Sequence, residues 1–242
     1  MRLRIIGPGR AGRSLGEALE AAGWSVAGWL GRGEPCSDAA AGVDLLVIAT
    51  PDASIAEVAA AVEPVASTVV AHLSGSRGLD VLRSHPRRAA IHPLVSLPEP
   101  ALGAERLRGG AWFAVAGDPL ARRVVDDLGG RAFEVADSAR AAYHAAACIA
   151  SNHLVALLGQ VARVGEVAGV PLDAYLDLVR TTVESVASLG PAAALTGPVA
   201  RGDWETIAHH LAALPEDERP AYEAMADLAA RLVAVPAAET AP

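Results

Sequence analysis

Lysine is absent from this chain: all 20 of its basic residues are arginine. That excludes mechanisms built on a lysine Schiff base or a lysine proton donor. Cysteine is scarce, with only Cys36 and Cys148 and no CxxC spacing, which argues against a disulfide framework or a thiolate metal site and leads us to expect a reducing, cytoplasmic setting. No HxxxH or HExxH spacing occurs, so no metal is expected, and no GxSxG elbow, so a hydrolase is a remote reading. The formal net charge of −8 supplies no basic field to draw nucleic acid or an anionic membrane surface. Glycine and proline at positions 7 and 8 break any leader-like apolar start, and no stretch offers about 20 uninterrupted apolar residues for a membrane span.

What is present suits one large domain or two modest ones: 242 residues, 52% hydrophobic, enough to bury a core. Arg2 to Ile6 predicts a strand and Ala11 to Ala22 a helix, from the spacing of Leu15, Ala18, Leu19 and Ala22. Trp24 to Trp29 and Val43 to Ala49 (VDLLVIA) predict the next two strands, the latter continuous and apolar as a strand covered on both faces should be. A helix over Ser54 to Val62 follows, then strands over Thr68 to Leu73, Ala89 to His92, Ala111 to Ala116 and Arg131 to Val135. The alternation predicts a doubly wound, mostly parallel α/β Rossmann domain over residues 1–137.

Beyond Asp137 the pattern turns wholly helical. Ser138 to Ala168 predicts one helix about 46 Å long, stopped by Gly169 and Pro171, and it carries no acidic or arginine side chain between Tyr143 and Val161. Such a helix should be buried nearly all round, and residues 138–242 offer little to bury it with, so a homodimer through this helical part is expected. Further helices are predicted over Asp173 to Ser188, Asp203 to Leu214 and Asp217 to Val233.

Gly7-Pro8-Gly9-Arg10-Ala11-Gly12 fits GxGxxG in the context the motif requires, after the first strand and at the start of a helix. Its glycines have separate tasks: a tight turn, close approach of backbone to a pyrophosphate, and close packing of helix on strand. No acid stands at the end of the second strand before Glu34, whereas Arg32 stands where a cation would meet a 2′-phosphate, so NADP is expected ahead of NAD. Thr50 and Pro51, after the third strand, are further cofactor-lining candidates.

Ligands of an open parallel sheet bind beyond the carboxyl ends of its strands, which singles out His72 and Ser74 after the fourth strand and His92 after the fifth. Arg140, His144, Cys148 and Asn152 follow at intervals of four along the long helix. The loop from Thr196 to Arg201 adds a hydroxyl and an arginine able to take a carboxylate, with Asp203 as an N-cap.

GPGRAGRSL at the start, YHAAACIASNHLVALL from Tyr143 and ALTGPVARGDWETIAHHL from Ala194 resemble a family of Rossmann-like proteins with a helical C-terminal domain of unknown function. That family is similar in turn to the 6-phosphogluconate dehydrogenase-like reductases, among them pyrroline-5-carboxylate reductase, ketopantoate reductase and prephenate dehydrogenase. The resemblance implies an NADP domain, a helical domain that dimerises and an active site in the cleft between them. His92-Pro93-Leu94 is similar to the His-Pro-Met segment of prephenate dehydrogenases. Many of these reductases carry lysine four residues before asparagine where this chain has Arg140 and His144, and arginine cannot readily give up a proton.

The expected activity is hydride transfer between NADP and a C=O or C=N group of a small carboxylate, ketopantoate-like or imino acid. Gly7, Gly9, Arg10, Ala11, Gly12, Arg32, Thr50 and Pro51 would hold the cofactor, His144 or His92 would move the proton, and Arg140, Asn152, Thr196 and Arg201 would anchor the substrate, with His72 and Ser74 nearby. The alternative is a non-catalytic NADP-binding sensor or scaffold.

Overall fold

The computed structural model describes residues 1–234. Its elements begin with β1 (Arg2–Ile6), α1 (Arg10–Ala21), β2 (Ser25–Leu30) and β3 (Leu45–Ile48), followed by α2 (Ile55–Ala61) and β4 (Val69–His72). β5 (Arg88–Pro93), α3 (Pro100–Arg108), β6 (Trp112–Gly117), α4 (Leu120–Asp127) and β7 (Arg131–Glu134) complete a seven-stranded sheet of order β2-β1-β3-β4-β5-β6-β7. Each strand sorts its side chains by parity. Leu3, Ile5, Leu45, Val47, Val69 and Ala71 enter one apolar cluster, while Ile6, Leu46, Ile48 and Val70 enter the other, so both faces are covered. That is the doubly wound Rossmann architecture expected.

One pairing departs from the parallel rule: β5 and β6 run antiparallel, from Ala89 opposite Gly117 to Pro93 opposite Phe113. Between them lies α3, which packs closely on α1 because the partners are small. A Cβ on Gly103 would sit 2.1 Å from Ser14 Oγ, and Ser14 is fully buried with its hydroxyl donating to the Arg10 carbonyl. Strand periodicity carries no information on direction, which is why the reversal was not expected.

The chain after Asp137 is helical as expected, but its first helix is not uniform. A short 3₁₀ turn opens into α5 (Arg140–Cys148), a π turn spans Ile149–His153, and α6 (Leu154–Val167) continues. The π turn closes i→i+5 bonds, so the four-residue row from Arg140 loses its register after Cys148. The contacts within the chain divide it into one unit ending at Ser151 and a second beginning at Asn152, so α5 belongs to the first, some way past the boundary placed after Asp137.

In the second unit α7 (Leu172–Leu189), α8 (Pro191–Ala194), α9 (Gly197–Arg201), α10 (Trp204–Ala213) and α11 (Arg219–Ala234) follow α6. Its interior is thin. Gln160 donates to the Glu218 carbonyl at 2.9 Å, Arg163 pairs with the Glu218 carboxylate, and Ile207 and Leu214 are the buried apolar side chains among its described residues. The expectation that the long helix is buried all round fails within one chain: Ile149, Leu154, Val155, Leu157 and Val167 are exposed. The run Asp137–Val167 is also long and apolar enough to cross a membrane by length and composition, although Asn152, His153 and Gln160 interrupt it.

Candidate active site

The glycine turn performs two of the tasks its motif assigns and leaves room for the third. Gly7 lies at φ +92°, and a Cβ there would come within 2.7 Å of the Ala49 carbonyl oxygen. Gly12 packs α1 on β1: its Cβ would meet the Gly7 oxygen at 2.4 Å and Ile5 Cγ2 at 3.2 Å. Gly9 differs, because nothing lies within 4 Å of the Cβ it lacks. It caps the start of α1, whose first turn holds no acid and no side-chain cap, leaving N–H groups and the positive dipole end free for an anion.

Beside this turn is a cavity of about 590 Å³ lined by Gly7, Pro8 and Gly9, by Gly31 to Glu34 and by Thr50 and Pro51. Thr50 Oγ1 points to no protein partner although buried. A dinucleotide fits this donor set: open backbone at Gly9, a bare helix start, an orphaned hydroxyl and the Arg32 cation. Arg10, Ala11 and Gly12 do not line the cavity. They form the first turn of α1, where Gly12 serves packing rather than contact. Ser54, Glu57, Val58 and Ala61 line it unexpectedly, brought there by the short turn and helix after Pro51.

A second cluster stands at the carboxyl ends of β4 and β5. His72 is fully buried, and its Nδ1 accepts from the Ser74 N–H at 3.2 Å, so its Nε2 carries the hydrogen that reaches the Gly78 carbonyl at 3.2 Å. Burial, reinforced by the charge of Arg140, holds His72 below the usual histidine range. Both ring nitrogens being engaged, His72 shapes the loop.

That loop is tied to the turn after β3. Ser74 Oγ donates to Asp52 Oδ2 at 2.6 Å and Ser76 Oγ to the same oxygen at 2.7 Å, while Ser74 Oγ accepts from the Arg77 N–H at 3.1 Å. Burial alone would raise the Asp52 carboxyl. The two hydroxyls, with His144 and Arg77, outweigh it and keep Asp52 ionised to lower pH.

The tie fixes Gly75 beneath two imidazoles. A Cβ on Gly75 would touch His144 Cδ2 at 2.7 Å and His92 Nε2 at 2.8 Å, and the two rings meet edge-on with centroids 5.9 Å apart. His92 Nδ1 shares a 2.6 Å hydrogen bond with the Tyr143 hydroxyl. Burial, then the charges of His144 and Arg140, push His92 down to about 4, so it is neutral at neutral pH, while burial raises Tyr143. Cys148 Sγ lies 4.0 Å from His144 Nδ1.

Arg140 is 1% exposed. Its Nε donates to Asp137 Oδ1 at 2.9 Å, yet Nη1 and Nη2 are buried without a protein partner. The sequence candidates His72, Ser74, His92, Arg140 and His144 thus fall into one neighbourhood. Asn152, Thr196 and Arg201 belong to the second unit, where all three are exposed; Thr196 begins α9 without a side-chain cap bond, and Asp203 caps α10 as expected, accepting from the Thr206 N–H at 3.1 Å. Sequence reasoning did not single out Tyr143, Ser76, Asp137 or Gly75. For Tyr143 the signal was its place three residues after Arg140, one helical turn along the same face.

Comparison with known proteins agrees with this fold. A Rossmann-like domain matches over residues 31–98 and a domain of unknown function, DUF2520, over residues 113–229; the chain joins the two. No curated protein matches it. Among solved structures, a Bacteroides fragilis protein designated an NADP oxidoreductase is 18% identical, with a TM-score of 0.78 over 95% of this chain and 98% of that one. Protein TM1727 of Thermotoga maritima is 23% identical (TM-score 0.72, 96% and 98% covered). Pyrroline carboxylate reductase of Plasmodium falciparum, solved with NADP bound, is 13% identical (TM-score 0.64, 96% and 98% covered).

Proposed function

We propose that this chain is an NADP-dependent oxidoreductase that reduces a C=O or C=N group of a small carboxylate. The observation that carries the reading is the pairing of a built dinucleotide cavity with the neutral His92 held between Tyr143 and His144. The neighbours designated NADP oxidoreductase or solved with NADP support the cofactor, and Arg32 in the cavity supports the 2′-phosphorylated form.

NADPH, when bound, supplies the hydride; the remaining tasks fall to side chains. Gly9 and the start of α1 receive the pyrophosphate, and Arg32 receives the 2′-phosphate. Tyr143 donates its hydroxyl hydrogen to His92 Nδ1, which leaves the hydrogen of His92 on Nε2, facing the space over Gly75. As negative charge develops on the substrate oxygen or nitrogen, Nε2 gives up its proton, Nδ1 takes one from Tyr143, and the Tyr143 phenolate, disfavoured by burial but favoured by the charge of Arg140, regains a proton from solvent as product leaves. The imidazole therefore need never become a cation, consistent with the depressed affinity of His92 for a second proton.

Arg140 supports a carboxylate in the substrate, since both Nη atoms of its buried fork lack a partner and a carboxylate fits such a fork bidentately. Reaching it requires the packing over its Nη atoms to part. The exposed apolar residues of α6 and α7, such as Val155, Leu178 and Leu189, support a homodimer whose second copy covers them.

The test is loss of NADPH absorbance at about 340 nm against a panel of keto and imino carboxylates. A substrate should emerge, and His92→Ala and Tyr143→Phe should then lower turnover by roughly 10²–10⁴ and 10-fold or more, with NADPH affinity nearly unchanged. NADPH binding with no turnover across the panel favours the sensor reading. Full turnover in His92→Ala removes the relay. Sedimentation of a single-chain species at micromolar concentration would remove the dimer.

A further inference from the structure

Beyond β2 the chain runs Gly31-Arg32-Gly33-Glu34, and all four residues line the cavity beside the glycine turn. The end of β2 is fixed to that turn, since the Gly7 N–H donates to the Leu30 carbonyl at 2.9 Å. The next free donor is the Gly31 N–H, and it is taken: the Glu34 carboxylate folds back and accepts it. Gly33, at φ +81°, makes the reversal that lets Glu34 return. Arg32 stands between them, and among the described residues it makes no ion pair; the acid two residues on has settled on backbone instead.

We propose that Glu34 is an internal competitor at the nucleotide's 2′ position, a specificity-determining residue that narrows the preference set by Arg32. The argument rests on the dinucleotide reading above and adds to it the identity of the residue opposing the phosphate. A 2′-phosphate attracted to Arg32 meets two obstacles in Glu34, a like charge and a carboxylate already bonded to the nearest backbone N–H. A 2′-hydroxyl meets neither, because the same carboxylate can accept its hydrogen. Arg32 alone would give a strongly NADP-selective site; the pair gives a site that still admits NAD.

Glu34→Gln isolates the charge. Glutamine keeps the length, and its amide oxygen can still accept the Gly31 N–H, so the loop keeps its shape. Kd values for NADPH and NADH are measured by titration with wild type, Glu34→Gln and Arg32→Ala. Glu34→Gln should bind NADPH roughly three- to tenfold tighter and NADH no tighter, a gain that shrinks as salt rises. Arg32→Ala should move the ratio the opposite way. If wild type binds NADPH and the NADPH-to-NADH ratio is unchanged or lower in Glu34→Gln, the role of Glu34 is overturned and the dinucleotide site stands. If neither wild type nor Glu34→Gln binds either nucleotide, the dinucleotide reading falls and this inference falls with it.

Discussion

Leu3, Ile5, Leu45, Leu46 and Phe113 in the first unit expose none of their surface, whereas Val155, Leu178 and Leu189 in the second expose 68%, 63% and 62%. Both parts are rich in apolar side chains, so composition does not separate them. What differs is the element that carries those side chains. A parallel sheet buries both faces of each strand beneath helices and so closes a core within one chain. A set of alanine-rich helices presents apolar surface all round, and one chain has too few helices to cover it. The first unit can hold a site rigid from within. The second holds its shape by local devices, such as the Asp203 cap and the Glu218 ties, and leaves apolar side chains exposed.

The sharpest way to break this contrast is to remove one apolar side chain from each part. Phe113→Ala should cost about 3–5 kcal/mol, because the ring is fully enclosed and its loss leaves a cavity in the sheet's core. Val155→Ala should cost less than about 0.5 kcal/mol in dilute protein, as at any exposed site. If the second unit is covered by another copy, the cost of Val155→Ala grows with protein concentration, since the lost contact then belongs to association. Denaturant unfolding at two concentrations reads both. A concentration-independent cost for Val155 equal to that of Phe113 would mean the contrast is wrong.

The second prediction concerns acid. Burial pushes His92 down to about 4 and lowers His72 as well, whereas an unfolded chain returns both to the ordinary histidine value of about 6.5. Between those values the unfolded state binds more protons than the folded one, so stability is fully present above about 6.5 and is lost as pH falls toward about 4. For His92 alone the loss approaches about 3 kcal/mol. Asp52, held below its ordinary value, adds its own loss only at lower pH. Thermal unfolding at stepped pH should show the slope, and His92→Gln should flatten it. An equally steep slope in His92→Gln would place the acid sensitivity outside this cluster.

The same contrast explains what could be read from the residues alone. VDLLVIA and TVVAHL announced central strands because strands buried on both faces leave no polar alternation, and β3 and β4 are buried at every position. Gly7 and Gly12 were legible because each serves a backbone constraint that fixes residue type, whereas Gly9, with open space where a Cβ would stand, was legible from the spacing of the motif. The antiparallel β6 was not, since the pattern of apolar residues along a strand is the same whichever way the strand runs. Nor was the tie of Ser74 and Ser76 to Asp52, because serines 22 and 24 residues from an aspartate carry no local signal. The π turn at Ile149–His153 escaped for a related reason: an apolar helix pattern reads the same with one residue added to a turn.

The smallest effect should come from the interior of the second unit. Gln160 is 9% exposed, and its side-chain amide donates to the Glu218 carbonyl in the turn that leads into α11, while the Glu218 carboxylate pairs with Arg163 one helical turn along α6. Gln160→Met fills nearly the same volume without the donor, leaving that carbonyl without its partner. The cost should be about 1 kcal/mol, below that of Phe113→Ala because one hydrogen bond is lost and no cavity is opened. Hydrogen exchange locates the effect: protection should fall in α11 and the turn before it, with the strands of the first unit unchanged. Loss of protection spread evenly through both units would show that the second unit does not rest on local ties of this kind, and that its thin interior is coupled to the sheet's core as one cooperative whole.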